Sequence, residues 1–391
     1  MNNDELQVLG TENRKRNTWK WIVAAVCVVL SIVSYLIYNR CSSTDRSLPM
    51  SQEGSTISPA LQYVADSLLN DKLTEINGLQ GQVIIMNVQT GEILAMVGRE
   101  RNFEGKFQPC QNFAYQQELG SLMKTASLLI ALETGKAKLD DVVDTGNGVW
   151  EIDEDRIFKD HNWRRGGYGE MTLDRTLEVS SNIGIGKTIW KLFKGQERDF
   201  FNKLDSMSFG QPSSIEGIEG LRPSVYSSPK DSDWLNKDIL WSAIGYNRKI
   251  APIQMLTFYN AIANNGKMVK PTLIPGNTEV INEQIAKSEN VTSMQQTLEH
   301  VVSQGVGRNA GSDRIKVAGK TGTSQVNEYY EGDNTVSEYH LAFCGYFPAD
   351  KPKYSMIVSL NKLGLPASSV IMAGNAFSNI VEWMIDNGMM K

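Results

Sequence analysis

The sequence predicts an α/β fold: an antiparallel sheet flanked by helices, with a mainly helical inserted region and one N-terminal transmembrane helix. Three observations predict it. β-rich runs gather in two distant stretches, 82–97 and 320–360; the residues between them read as helix and loop; and residues 21–38 form one uncharged apolar run. Strands contributed from both sides of a helical middle imply one sheet assembled from distant segments.

The run at 21–38 holds no charge, Gly or Pro, and at ~1.5 Å rise per residue its length matches the hydrocarbon core of a bilayer. Trp19, Trp21, Tyr35 and Tyr38 sit toward its ends as interfacial anchors. Arg14, Lys15, Arg16 and Lys20 precede it, against Arg40 and Arg46 after it. The positive-inside bias therefore makes 1–20 a cytoplasmic tail and places the body outside the inner membrane, periplasmic or extracellular, on a single span. A cleaved signal peptide is the alternative, although the run is long for one and Cys41-Ser42-Ser43 offers only a weak cleavage site. Residues 39–56 are polar and read as a tether, leaving 57–391 as the body.

The body opens with an amphipathic helix over 57–73, in which Leu61, Val64, Ala65, Leu68 and Leu69 recur at helical spacing. Strands at 82–89 and 92–97 follow, joined at Thr90-Gly91. A helix starting at Gly120-Ser121 and stopping at Gly135 is apolar on nearly every side from Leu122 to Leu132, so it should be buried. Helices are expected at 174–194, interrupted by Gly184 and Gly186, and at 251–264 before Asn265-Gly266. Strands at 320–326, 340–347 and 354–360 and a helix at 373–387 close the chain.

Composition excludes more than it assigns. A net charge of −5 gives no basic footprint, so no nucleic-acid partner is expected. Of four cysteines, Cys27 falls in the span and Cys41 just beyond it; no CxxC occurs and no His lies near any of them, so neither a metal site nor a cofactor is expected. Cys110 and Cys344 are expected to be buried free thiols, with a disulfide as the alternative.

Lys124 stands out because it sits on the apolar helix. An ammonium there either snorkels to solvent or is desolvated, and desolvation lowers a lysine pKa toward neutrality. Ser121 lies three residues earlier on the same face, at a helix N-terminus that favours developing negative charge. Three histidines, none beside a nucleophile-elbow sequence, disfavour a Ser-His-Asp enzyme. The Gly-Lys-Thr strings at Gly186 and Gly319 lack the preceding Gly that a phosphate-binding loop needs. What remains is an ordered set: Ser121-Leu122-Met123-Lys124, then Ser180-Ser181-Asn182, then Lys320-Thr321-Gly322-Thr323.

With these motifs the chain resembles the transpeptidase domain of class B penicillin-binding proteins, the peptidoglycan D,D-transpeptidases of cell division and elongation. The similarity runs from about Ile57 to the C-terminus and includes the stretches 87–96, 172–184, 245–254, 259–266 and 343–348. The resemblance implies that Ser121 attacks the penultimate D-Ala of a D-Ala-D-Ala stem peptide and that Lys124 is its general base. It also implies that Ser180 relays a proton to the leaving amine, Asn182 holds the substrate amide and Lys320 supplies positive field. Thr321 and Thr323 would bind the terminal carboxylate, Gly322 would permit close strand approach, and the N–H groups of Ser121 and Thr323 would form an oxyanion hole. β-Lactams would acylate Ser121, and membership of a cell-wall synthesis complex is implied.

The sequence departs from the family in three places, one of them the last-helix segment, where Ala373-Gly374-Asn375-Ala376-Phe377 lacks the family's Pro. The large pedestal domain usual between span and transpeptidase domain is not expected here, and Leu119 replaces the usual Pro before Gly120. The alternatives on this fold are a penicillin sensor or scaffold without turnover, a D,D-carboxypeptidase and a β-lactamase. The last is disfavoured because no E-x-x-L-N string lies between Asn182 and Lys320.

Overall fold

The computed structural model describes residues 54–390 apart from 155, 332 and 333. The expected transmembrane helix, the tail before it and most of the tether lie outside the described residues. Among those described, no helix is long and apolar enough to cross a membrane.

In chain order, α1 (Pro59–Glu75) begins with a proline where the missing N–H leaves no helical bond unmade. It leads into strands β1 (Gly78–Asn87), β2 (Ile93–Arg101) and β3 (Phe107–Pro109). A 3₁₀ turn, Gly120–Leu122, then runs straight into α2 (Met123–Glu133). The middle carries short strands β4 (Val142–Asp144), β5 (Val149–Asp153), β6 (Arg156–Lys159) and β7 (Glu170–Thr172), then helices α3 (Leu173–Glu178), α4 (Asn182–Phe193) and α5 (Glu197–Ser206). It continues through β8 (Val225–Tyr226), α6 (Asp238–Ala243), β9 (Arg248–Lys249), α7 (Pro252–Ala263), β10 (Met268–Val269), β11 (Val280–Asn282) and α8 (Ser288–Ser303). The last elements are β12 (Ala318–Glu331), β13 (Asn334–Phe347), β14 (Tyr354–Leu363) and α9 (Met372–Asp386).

The main sheet has the order β12-β13-β14-β1-β2-β3, with every neighbouring pair antiparallel. Its centre joins the two distant strand groups: Val83 pairs with Val358 on one side and with Val97 on the other. One face, through Val83, Ile85, Phe343 and Val358, packs on Leu61, Leu69 and Leu73 of α1 and on Phe377, Ile380 and Val381 of α9. The opposite face, through Ile84, Met86, Ala342 and Ile357, belongs to the core shared with α2 and α7. Burial on both faces explains why these strands read as continuous apolar runs.

The middle, expected as helix and loop, also carries the eight short strands β4–β11, each of two to five residues and too short to show alternation, and three further details differ from the sequence-based expectation. β3 was not expected; it is a three-residue edge strand with no alternation to detect. β12 and β13 reach well beyond 326 and before 340, because cross-strand pairing extends them through polar residues. The expected 174–194 helix does break, but at Val179–Ser181 and not at the glycines. Gly184 lies inside α4 because a Cβ there would stand 2.4 Å from Thr176 Cγ2, so its absence lets α3 and α4 pack closely. Cys110 and Cys344 are buried free thiols.

Candidate active site

The helix that carries Lys124 is sealed in place. From Met123 to Leu132 all of α2 is buried, and its entry is fixed by Tyr259, whose hydroxyl donates to Leu122 O at 2.9 Å and lies 2.7 Å from Thr125 Oγ1. β12 lies against the turn that precedes the helix: Ser324 Oγ donates to Glu118 O at 2.6 Å, and a Cβ on Gly322 would stand 2.6 Å from Leu119 O. A residue with a side chain at 322 would push the strand off the turn that bears Ser121.

Ser180 occupies the corner between α3 and α4 with φ of +58°, an uncommon conformation for a non-glycine residue. Lys124 Nζ donates to its carbonyl at 2.7 Å and lies 3.3 Å from its hydroxyl. Lys320 Nζ, from β12, reaches the same hydroxyl at 2.9 Å. Both lysines are wholly buried. Desolvation lowers the Lys124 pKa to about 7, opposed by the charge of Asp160. Desolvation, reinforced by the Lys124 charge, also pushes Lys320 well below its ordinary value. Two charged ammonium groups on one hydroxyl repel, so this arrangement favours one proton fewer than two full charges need.

Above the lysines opens a cleft of about 400 Å³ whose wall includes Ser121, Ser180, Asn182, Thr321 and Thr323. Thr321 Oγ1 accepts from Lys320 Nζ at 3.3 Å, Thr323 Oγ1 donates to Ser369 Oγ at 2.8 Å, and Asn182 Nδ2 donates to Lys159 O at 2.8 Å. The eight residues singled out in the sequence thus converge: five on the cleft wall, two lysines beneath it and Gly322 against the turn of the nucleophile. Proton transfer through Ser180 and acyl chemistry at Ser121 are what such a constellation can do.

Other residues of the site went unnoticed in the sequence. Asp160, directly after β6, is buried and accepts hydrogen bonds from Ser181 Oγ, Asn182 N and Ile183 N. Partners 21 to 23 positions away leave no local spacing signal. His161, Tyr246, Val306 and Ser369 also line the cleft. Val306 sits in the Gly305–Gly307 turn, where its N–H donates to Glu178 O at 2.9 Å. The Asp174, Glu178 and His300 side chains cluster nearby, with His300 Nδ1 3.1 Å from Asp174 Oδ2.

Comparison with known proteins agrees with this geometry. The penicillin binding protein transpeptidase domain family matches residues 81–382. The chain is 28% identical over 324 residues to stage V sporulation protein D of Bacillus subtilis, covering 76% of this chain and 47% of that protein. It is 23% identical over 330 residues to peptidoglycan D,D-transpeptidase FtsI of Escherichia coli, covering 78% and 51%. The chain spans about half the length of the curated relatives it matches. Among solved structures, the transpeptidase domain of penicillin-binding protein 3 from Burkholderia pseudomallei shares the fold, with a TM-score of 0.72 at 23% identity over 87% of this chain and 98% of that one. Family match, fold and the convergence of the three motifs on one cleft agree: the chain belongs to the penicillin-binding protein transpeptidase domain family.

Proposed function

We propose that this chain is a serine D,D-transpeptidase that crosslinks peptidoglycan stem peptides and is acylated by β-lactams. One observation carries the reading: the Ser180 hydroxyl lies within hydrogen-bond reach of two buried lysines, on the wall of the cleft that also holds Ser121. In the proposed reaction Ser121 Oγ attacks the carbonyl of the penultimate D-Ala of a stem peptide ending in D-Ala-D-Ala. The bond to the terminal D-Ala breaks, its amine leaves with a proton, and an ester to Ser121 remains. An amine of a neighbouring stem peptide attacks that ester, forms the crosslinking amide and returns the proton to Ser121.

Lys124 is the base that takes the Ser121 proton; a pKa of about 7 supports it, because a useful fraction is then neutral at physiological pH. Ser180 relays the proton to the leaving amine, and Lys320 holds positive potential beside it. Asn182 orients the substrate amide, while Thr321 and Thr323 bind the terminal carboxylate at the strand that Gly322 brings close. Backbone N–H groups of Ser121 and Thr323 form the oxyanion hole, worth ~3 kcal/mol per donor. The scheme uses no metal or cofactor. In the cell, the tail at 1–20, the span at 21–38 and the tether at 39–56 hold the domain at 57–391 outside the inner membrane, where it works in a cell-wall synthesis complex. The apolar run and the flanking charges support that arrangement.

The test is a crosslinking assay on the full chain with a stem pentapeptide ending in D-Ala-D-Ala and an amine-bearing stem peptide as acceptor. The expected result is D-Ala release matched one for one by crosslinked dimer, and neither product with Ser121→Ala. Release of D-Ala without dimer means hydrolysis and overturns the transpeptidase assignment.

A further inference from the structure

We infer that Asp160 is a positioning residue of this site, whose carboxylate holds the Ser180-Ser181-Asn182 corner in register with Lys124 and Lys320. The inference rests on the transpeptidase reading and adds a residue to it. Asp160 is 1% exposed. Its Oδ2 accepts the Ser181 hydroxyl proton at 2.7 Å, and its Oδ1 accepts the backbone N–H groups of Asn182 at 2.6 Å and Ile183 at 3.1 Å. Those two amides stand at the start of α4, where helical geometry gives them no partner, and a negative charge there complements the helix dipole.

The carboxylate is itself anchored. Phe158 of β6 packs on Trp241 with ring centroids 4.6 Å apart, Asp160 N donates to Gly148 O at 3.0 Å, and Trp163 N donates to Asp160 O at 3.1 Å. Ser180 immediately precedes the held amides and is in left-handed backbone, which a residue with a side chain adopts only when its surroundings impose it. Val306 N–H fixes the corner from the α3 side through Glu178 O, and Asp160 fixes it from the α4 side. Released on the α4 side, the Ser180 hydroxyl loses its place between the lysines.

The charge of Asp160 has a second, separable consequence. Asp160 bonds the residues next to Ser180, whose carbonyl takes Lys124 Nζ, so among the charged groups around Lys124, with Lys320 of β12 and His161 beside Asp160, it is the one that favours the charged lysine. Asp160→Asn keeps an acceptor at Oδ1 and lets the Ser181 hydroxyl accept from the new amide, so it removes the charge and spares the geometry. Asp160→Ala removes all three bonds; Ser181→Ala removes one of them together with the helix cap in which Gly184 N–H donates to Ser181 Oγ at 2.9 Å.

The experiment measures benzylpenicillin acylation against pH and backbone hydrogen exchange, on the full chain and these variants. For Asp160→Asn, the acid limb of the acylation profile moves to lower pH, so the ratio of the rate at about pH 6 to that at about pH 8 rises severalfold. For Asp160→Ala, acylation falls about 10²-fold, and the Asn182 and Ile183 amides exchange at least about tenfold faster while β1 and β14 keep their protection. Ser181→Ala leaves Asp160 on both amides, so exchange at 182–183 falls between the wild type and Asp160→Ala, while the loss of the cap shows separately at the Gly184 amide. Exchange at 182–183 that matches the wild type in Asp160→Ala overturns the inference, and an acid limb of Asp160→Asn at the wild-type pH overturns the separate charge effect. Exchange needs no catalysis: a wild type that forms no adduct defeats the transpeptidase reading, while exchange still decides whether Asp160 holds the corner. If Asp160→Ala does not fold, exchange at 182–183 in Ser181→Ala decides instead, and wild-type rates there overturn the inference.

Discussion

Lys124 has exchanged water for the interior of an apolar helix and two contacts on Ser180, and that exchange fixes the direction in which its proton equilibrium moves. Burial disfavours the ammonium, so the group loses its proton at about 7. A base works unprotonated. Acylation by benzylpenicillin should therefore fall about tenfold per unit as pH drops below about 7 and level off above it. Lys124→Ala should slow acylation at neutral pH by about 10² to 10⁴-fold and abolish that limb. Stopped-flow acylation over pH checks both, and an unchanged limb in the variant would move the base role to Lys320. The oddity of Lys124 was legible, because residues 122–132 leave almost no polar side for it to occupy. Asp160 was not legible, because its purpose lies in amides more than twenty positions away.

At the scale of elements, the site depends on β12 lying hard against the Gly120–Leu122 turn. A methyl group at 322 would meet Leu119 O at 2.6 Å and Leu122 Cγ at 2.9 Å; the first of these is backbone and has little freedom to yield. Gly322→Ala should push the strand away from the turn, lowering acylation by about 10²-fold while the fold loses only about 1–3 kcal/mol. Acylation kinetics beside a urea melt separate the two effects, and a variant that acylates normally would show that the close approach is not needed. The sequence pattern told the two glycines of α4 from ordinary helix formers but misjudged their effect. Glycines in a helical run read as breaks, yet Gly184 serves α3–α4 packing. The real break is at Ser180, whose carbonyl and hydroxyl bond to lysines 56 and 140 positions away.

Over the whole molecule, the sheet closes only when β1 meets β14, as in Val83 with Val358. Strand identity was legible in both stretches because β-branched and apolar runs announce themselves locally. Neighbour order and register were not, since pairing between distant runs leaves no mark in either. The polar outer halves of β12 and β13 were missed for the same reason: each is a strand because of the other. This closure brings β12, with Lys320 and Thr323, to the turn that opens α2 and to the corner before α4. A molecule built this way should present one reactive serine. The most direct measurement is the intact mass of the full chain over several hours after mixing with benzylpenicillin, with Ser121→Ala alongside. The account predicts a single long-lived adduct on the wild type and none on the variant; an equal adduct on Ser121→Ala, or none on either, would contradict it.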